Sequence, residues 1–448
     1  MKIVIVGAGE VGSHLAKLLS KEEQDIILID KDPQRLAVID ANYNLMTMRG
    51  SPTSFDVLRD AGVDRCDLFV AVTPLETTNV IACSIAKNLG ARKTVARIDN
   101  YEFMQQTHRE FFNEMGVNQL IYPEYLAAKE IHTSLERTWV RTWFEIHNGE
   151  LIVVGVKIRE NARLRGMQLK ELAMQQHFFH VAAIRRSHAT IIPRGDDRIQ
   201  TNDIVYFTTT RDHIDAIREI CGKTEQEIRK VLIMGGSRIA ILLTAMASDK
   251  YKFKIVDIDR AKCNKLCERC PDTRIVHGDA RDVDTLLEEG IDDMDAFVAL
   301  TESSETNILA SLTAKEHGVR KTIAEVEDLQ FISSADNLNI GTVVNKKLLA
   351  SSNIFQLLLD TDSTSSKFMA LADADVAEIE VRPKSKITRG PVKDLGLSRD
   401  MTIAGLIRDG RGMLVSGNTV IEPGDRVVVF CLSGAIHKIE KLFGKNSD

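Results

Sequence analysis

The chain is written twice. Residues 3–12 read Ile-Val-Ile-Val-Gly-Ala-Gly-Glu-Val-Gly and residues 231–240 read Val-Leu-Ile-Met-Gly-Gly-Ser-Arg-Ile-Ala, so Gly7 is echoed by Gly235 at an offset of 228. The same offset carries Arg49-Gly50-Ser51-Pro52 onto His277-Gly278-Asp279-Ala280. It also carries Ala71-Val72-Thr73 through Asn79 onto Ala299-Leu300-Thr301 through Asn307. In a chain of 448 residues this makes two copies of one plan, roughly 1–222 and 230–448. At about 150 residues per domain, each copy has room for more than one domain.

Each copy changes texture partway. Its first portion alternates apolar runs with helical patterns, which predicts βαβ units around a parallel sheet. In the first copy strands are expected at 2–6, 25–29, 44–48, 67–72, 93–98 and 118–121, and helices at 10–20, 33–41, 54–61, 77–89, 101–114 and 124–136. The second portion holds short β-rich runs, turns at Pro193-Arg-Gly-Asp-Asp and Glu422-Pro-Gly-Asp, and a terminal helix. The expected class is α/β, with two Rossmann-like doubly wound parallel-sheet lobes, each followed by a small β-rich α+β lobe. The expected division is a first large lobe at 1–122, a crossover helix at 123–142 and a small lobe at 143–222. A second large lobe at 229–350, a connector at 351–366 and a small lobe at 367–448 complete it.

Gly7-Ala8-Gly9-Glu10-Val11-Gly12 follows a strand and opens a helix, the context a dinucleotide fingerprint requires. Gly7 permits the tight turn, Gly9 lets backbone approach a pyrophosphate, and Gly12 lets helix pack on strand. Asp30, next to Lys31, closes the following strand and is placed to accept hydrogen bonds from a ribose diol. A carboxylate there repels a 2′-phosphate, favouring NAD(H) or an unphosphorylated adenosine ribose over NADP. In the second loop, Gly235-Gly236-Ser237-Arg238, Ser237 replaces the glycine that approaches phosphate and Ala240 the packing glycine, while Asp257 takes the place of Asp30. Ser51 and Asp279 follow the glycine of the third strand, and Thr73 and Thr301 end the fourth beside the crevice. Arg97 ends the fifth strand within reach of a phosphate, or of a surface ion pair; its counterpart is Glu325, so the two sites are expected to differ.

Lys plus Arg number 58 and Asp plus Glu 64, a net charge of −6, which gives no basic face for nucleic acid. Aromatic residues at 5% leave few platforms for stacking bases. The start, Met1-Lys2-Ile3-Val4-Ile5-Val6-Gly7, is too short an apolar run for a signal peptide, and no stretch is apolar enough to span a membrane. Seven cysteines, an odd number, fit a reducing cytosol. Cys263, Cys267 and Cys270 have the spacing of a radical-SAM triad, but the repeat places them on a helix, with the three thiols on one face. Histidines 177, 180 and 188 lack a recognisable zinc pattern. Lys170, His188, Asp203 and Asp425 form no triad, metal motif or carboxylate pair, so no catalytic residue and no metal site is expected. An NAD-dependent dehydrogenase remains the alternative reading.

The order Gly7-x-Gly9-x-x-Gly12, Asp30, Gly50, Ala71-Val72-Thr73 and Glu76-Thr-Thr-Asn79, followed by a turn-rich β lobe, resembles the RCK (KTN) domain family, and the resemblance runs over essentially the whole chain. Ser51, Ser237 and Glu325 depart from the family pattern. The resemblance implies a non-enzymatic cytosolic subunit that binds and gates a membrane potassium channel or transporter of the Trk type. It would sit peripherally at the inner face of the membrane and self-associate as a homotetrameric ring. It also implies NAD(H) as ligand, with ATP or ADP as further candidates, and a helix entered at Tyr122-Pro123-Glu124 that crosses to a neighbour and packs through Leu126, Ala127 and Ile131.

Overall fold

The computed structural model describes residues 1–20, 24–175, 177–187, 189–359, 367–371, 374–432 and 442–443. The first large lobe runs β1 (Lys2–Val6), α1 (Glu10–Leu19), β2 (Asp25–Asp30), α2 (Pro33–Asn42), β3 (Met46–Arg49), α3 (Phe55–Asp60), β4 (Leu68–Ala71), α4 (Glu76–Leu89), β5 (Lys93–Arg97), α5 (Arg109–Glu114), β6 (Gln119–Ile121) and α6 (Pro123–Glu136). Ile3, Val4, Ile5 and Val6 are fully buried, and so are Leu68 to Ala71. Continuous apolar strands of this kind need cover on both faces, which a parallel sheet between helices provides. The strand order is β3-β2-β1-β4-β5-β6 with all neighbours parallel, the doubly wound arrangement. Polar residues set the helix starts: Asp32 caps α2 by accepting the Gln34 N–H, with Pro33 at the first helical position, and Ser54 caps α3.

One expectation fails here. Residues 101–114 do not form a continuous helix but two 3₁₀ turns, Tyr101–Met104 and Gln106–His108, before α5. Gln105 is extended (φ −64°, ψ 138°), and the break lets Phe103 fold back to within 4.9 Å of Phe112. Contact with the core has overridden local periodicity.

The first small lobe comprises β7 (Thr142–Ile146), β8 (Leu151–Lys157), α7 (Leu169–Gln175), β9 (Phe179–Arg186), β10 (Ala189–Ile191), β11 (Ile204–Thr209) and α8 (Ile214–Ile220), with an antiparallel sheet ordered β10-β9-β11-β8-β7. The second large lobe runs β12 (Lys230–Met234), α9 (Arg238–Ala247), β13 (Lys252–Asp257), α10 (Arg260–Arg269), β14 (Arg274–His277), α11 (Val283–Glu288), β15 (Ala296–Ala299), α12 (Ser304–Glu316), β16 (Lys321–Glu325), α13 (Leu329–Asn337), β17 (Thr342–Val344) and α14 (Lys346–Leu359). Its sheet, β14-β13-β12-β15-β16-β17, repeats the first strand for strand. Residues 351–359 of the expected connector thus continue α14. Then come β18 (Lys367–Leu371), β19 (Ala374–Glu380), β20 (Met401–Arg408), β21 (Arg411–Leu414) and β22 (Arg426–Leu432), with β19-β22-β20-β21 in antiparallel order. The expected terminal helix of this last lobe lies outside the described residues, as does His188.

Asp203 and Asp425, which form no catalytic pattern, have structural roles. Arg186 Nε and Nη2 donate to Asp203 at 2.9 and 2.7 Å, and Arg408 meets Asp425 in the same two-pronged way at 2.8 and 2.7 Å. Each carboxylate also accepts a turn N–H, from Gln200 and Glu422 respectively, at 2.7 and 2.8 Å. A planar guanidinium fork matched to a carboxylate fixes one turn of each small lobe.

The chain forms two compact units. One holds Met1–Leu126 together with α14 from Lys347 onward, and the other holds Ala127–Lys346 and Leu371–Leu432. Within the first, α14 lies on α1: Lys347 pairs with Glu10, and Ser351 Oγ donates to the Val11 carbonyl at 3.4 Å. Within the second, α6 lies on the second large lobe, with Ser134 Oγ donating to Thr342 Oγ1 at 3.1 Å and Glu136 pairing with Lys250. The buried face of α6 is Ala127, Ala128, Ile131 and Leu135, with Leu126 only half-buried.

Candidate nucleotide site

The strand order reverses at β1, which has β2 on one side and β4 on the other, so the loops leaving β1 and β4 diverge and open a crevice. Gly7 turns with φ +105°, and a β-carbon there would lie 2.9 Å from the Thr73 backbone nitrogen. A β-carbon on Gly12 would lie 1.9 Å from the Gly7 carbonyl oxygen, so the absent side chain seats α1 on its own loop. Gly9 is different: it occupies the N-cap of α1 with φ −72° and ψ −174°, and a β-carbon there would meet nothing within 4 Å. No side chain caps α1. The start of α1 thus has no side-chain cap and has room beside Gly9, at the positive end of the helix, a geometry suited to a pyrophosphate.

The Asp30 carboxylate braces this loop. Its Oδ2 accepts the Ala8 N–H at 2.6 Å and its Oδ1 accepts the Asp32 N–H at 2.8 Å, leaving further lone pairs for a ribose diol. Lys31 beside it is exposed, as is Glu10, whose carboxylate is held by Lys347. The Thr73 hydroxyl donates to Asn79 Oδ1 at 2.7 Å, and Asn79 Nδ2 reaches the Thr73 and Arg97 carbonyls at 3.0 and 2.8 Å. Asn79 therefore ties the ends of β4 and β5 together, and the threonine donor is committed to that tie. Arg97 Nη2 meets Asp99 at 3.2 Å, the ion-pair alternative, while its Nε is buried without a partner. The Ser51 hydroxyl lies 3.2 Å from that of Thr53 and its carbonyl accepts the Ser54 N–H at 3.1 Å, just after β3.

The second loop has the same skeleton and a different chemistry. Gly235 turns with φ +95°, and the Asp257 carboxylate accepts the Gly236 and Asp259 N–H groups at 2.7 and 2.9 Å. Burial pushes the Asp257 carboxyl up, but those two N–H donors and the Lys262 ammonium outweigh it and hold the group below the usual carboxylate range. A β-carbon on Gly236 would meet Leu266 at 2.2 Å. Ser237 Oγ accepts the Ala240 N–H and so caps α9 from within the chain, while Arg238 is exposed. Asp279 is engaged by Arg281, its Oδ2 2.7 Å from Nη2. Thr301 and Asn307 repeat the Thr73–Asn79 tie, with the Thr301 hydroxyl 2.6 Å from Asn307 Oδ1. Glu325, in the place of Arg97, is buried and 3.2 Å from Lys346. Ser237→Ala is expected to lower stability by about 0.5–1 kcal/mol through loss of the cap, read as a shifted urea midpoint at constant slope.

The cysteine triad is helical only in part. α10 ends at Arg269; Cys263 and Cys270 are buried, and Cys267 is exposed, so the expectation of a single thiol face is corrected. Among the described residues, no group of three or more His, Cys, Asp and Glu side chains is placed to hold a metal ion, and no helix is long and apolar enough to cross a membrane.

Fold and site define a class: proteins carrying two Rossmann-like dinucleotide-type lobes, each followed by a small antiparallel lobe. The TrkA-N domain family matches residues 3–123 and 231–346, and the TrkA-C domain family matches 153–222 and 376–444. The chain belongs to the TrkA family. It is 29% identical to the Trk system potassium uptake protein TrkA of Halomonas elongata, covering 99% of this chain and 98% of that one. It is 30% identical to the TrkA homolog of Archaeoglobus fulgidus, covering 99% and 100%. Among solved structures, a GsuK channel bound to NAD shares the fold, with a TM-score of 0.62 at 16% identity over 99% of this chain and 78% of that one.

Proposed function

We propose that this chain is the nucleotide-sensing regulatory subunit of a Trk-type potassium uptake system, and that NAD(H) or an adenine nucleotide binds at the first glycine loop. The carrying observation is the inequality of two loops with one skeleton. The first leaves its helix uncapped behind Gly9, whereas the second caps itself with Ser237 and places buried Glu325 where the first has Arg97. A sensor needs one responsive site on a scaffold that transmits its state. The relatives named as Trk potassium uptake proteins support the system, and the NAD-bound channel of the same fold supports the ligand class. Nucleotide binding shifts flux only by its differential affinity for two arrangements of the assembled subunits. The proposal includes the six-part division of the chain, a homotetrameric ring, a cytoplasmic location at the inner membrane face through the transporter, and the absence of catalysis. The ligand set is Gly7 to Gly12, Asp30, Lys31, Ser51, Thr73 and Arg97, with the second-loop residues as a weaker site.

Calorimetry with NADH, NAD, ATP and ADP tests the reading. About one nucleotide per chain is expected for the wild type, and Asp30→Ala is expected to weaken it at least about tenfold, because the Ala8 N–H and the ribose lose a shared acceptor. If none of the four binds, the loop is structural. Steady consumption of NADH with an alcohol or acid substrate would instead favour a dehydrogenase.

A further inference from the structure

Five cationic side chains of the second unit gather near the starts of β16 and β17, the opposite end of that parallel sheet from its glycine loop. Arg141 and Arg159, from the first small lobe, each place Nη2 on the same oxygen, Asn339 Oδ1, at 3.3 and 2.6 Å. Lys315, near the end of α12, donates to the carbonyl of the same asparagine, which holds a left-handed backbone (φ +58°) between α13 and β17. Lys321, at the start of β16 and 7% exposed, reaches the Thr138 carbonyl at 3.5 Å. Lys223, half-buried just after α8, is the fifth cation, close enough for the Arg159 and Arg141 charges to act on it. Each of the four contacts ends on a neutral oxygen. Glu130 on α6 is the carboxylate that acts on Lys321, and burial pushes its own pKa up.

Like charges held this close repel each other, and the lysines register it. Burial, then the Arg141 charge, brings the Lys321 ammonium down to about 7 despite Glu130. Burial, then Arg159, brings Lys223 down to about 8, with Cys221 opposing and Arg141 adding a smaller push downward. Burial and the same two arginines lower Lys315 as well. Such shifts accompany the geometry, in which two guanidiniums and an ammonium meet on one asparagine.

We infer that Arg141, Arg159, Lys223, Lys315 and Lys321 form a receptor for a polyvalent phosphate-class oxyanion, distinct from the glycine-loop site. Planar guanidinium forks beside point-charge ammoniums suit phosphoryl oxygens, and the summed charge calls for more than one negative charge. The anion would take over the role of Asn339 in joining the first small lobe to the second large lobe. Free polyphosphate and the phosphate tail of a nucleotide offer the same chemistry.

Calorimetric titration of tripolyphosphate into the full chain, at constant ionic strength, tests this. Gly9→Asp, which blocks the glycine loop's own phosphate position, is expected still to bind one tripolyphosphate per chain, and the arginine variants are made in that background. Arg141→Gln/Arg159→Gln is expected to weaken it at least about tenfold. Binding is also expected to be tighter near pH 7 than near pH 9, because Lys321 and Lys223 take up protons over that range. Should the double variant not fold, Lys223→Gln replaces it with a smaller loss, about threefold. Equal affinity of ATP and tripolyphosphate for Gly9→Asp would identify free polyphosphate as sufficient; tighter ATP binding would identify a nucleotide. Failure of tripolyphosphate to bind Gly9→Asp, or undiminished binding by the arginine variants, overturns the inference.

Discussion

Gly9→Asp is expected to yield a folded chain that no longer takes up NAD(H) or adenine nucleotides. The backbone at this position is extended and a β-carbon finds open space, so aspartate fits without strain. Aspartate is also a preferred N-cap, so its carboxylate satisfies the amides of α1 that glycine leaves open. The same carboxylate occupies the pyrophosphate position and repels it. Affinity should fall at least about 100-fold, on the order of 3 kcal/mol, while the melting temperature without ligand holds or rises. Calorimetry paired with thermal unfolding reads both. A variant that binds normally would show that the diphosphate does not cross Gly9.

The second large effect lies in the small lobes. Arg186→Ala is expected to destabilise the protein by about 3 kcal/mol, since it strands the Asp203 carboxylate without its cation. That carboxylate is 1% exposed, while the arginine side chain is 32% exposed, which places the figure at the lower end for a buried pair. The repeat supplies a control: Arg408→Ala should act alike, because Asp425 is 3% exposed. Equilibrium denaturation measures both, and a loss under about 1 kcal/mol would mean that water replaces the arginine.

The doubly wound lobes were legible because parallel strands buried on both faces leave unbroken apolar runs, and because the two copies repeat key turn residues, Gly7 as Gly235 and Gly50 as Gly278. The glycine loops were legible because backbone contacts require both glycines: a β-carbon on Gly12 would strike the Gly7 carbonyl, and one on Gly7 would strike the backbone at Thr73. The helix expected at 101–114 misled because nine residues of continuous helix would set Phe103 and Phe112 on opposite faces, and the contact they make needs the break at Gln105. Lys347 beside Glu10 was invisible, since its partner lies in the other copy. The commitments of Thr73 to Asn79 and of Asp279 to Arg281 were likewise hidden, because local side-chain pairing decides them and residue type alone does not.

The crossed placement of α6 and α14 bears on the ancestry of the chain. The helix leaving the first large lobe is buried against the second, and the helix leaving the second is buried against the first, with Ser134 meeting Thr342 and Ser351 meeting Val11. A gene cut at the duplication boundary would therefore encode two fragments, each missing the helix that completes its core and each presenting an orphaned one. Mixed in equal amounts, such fragments have reason to find each other, as a split protein complements itself. Two identical single-copy chains could meet the same need by trading helices. With both copies in one chain the two need not match, and one loop carries Gly9 where the other carries Ser237.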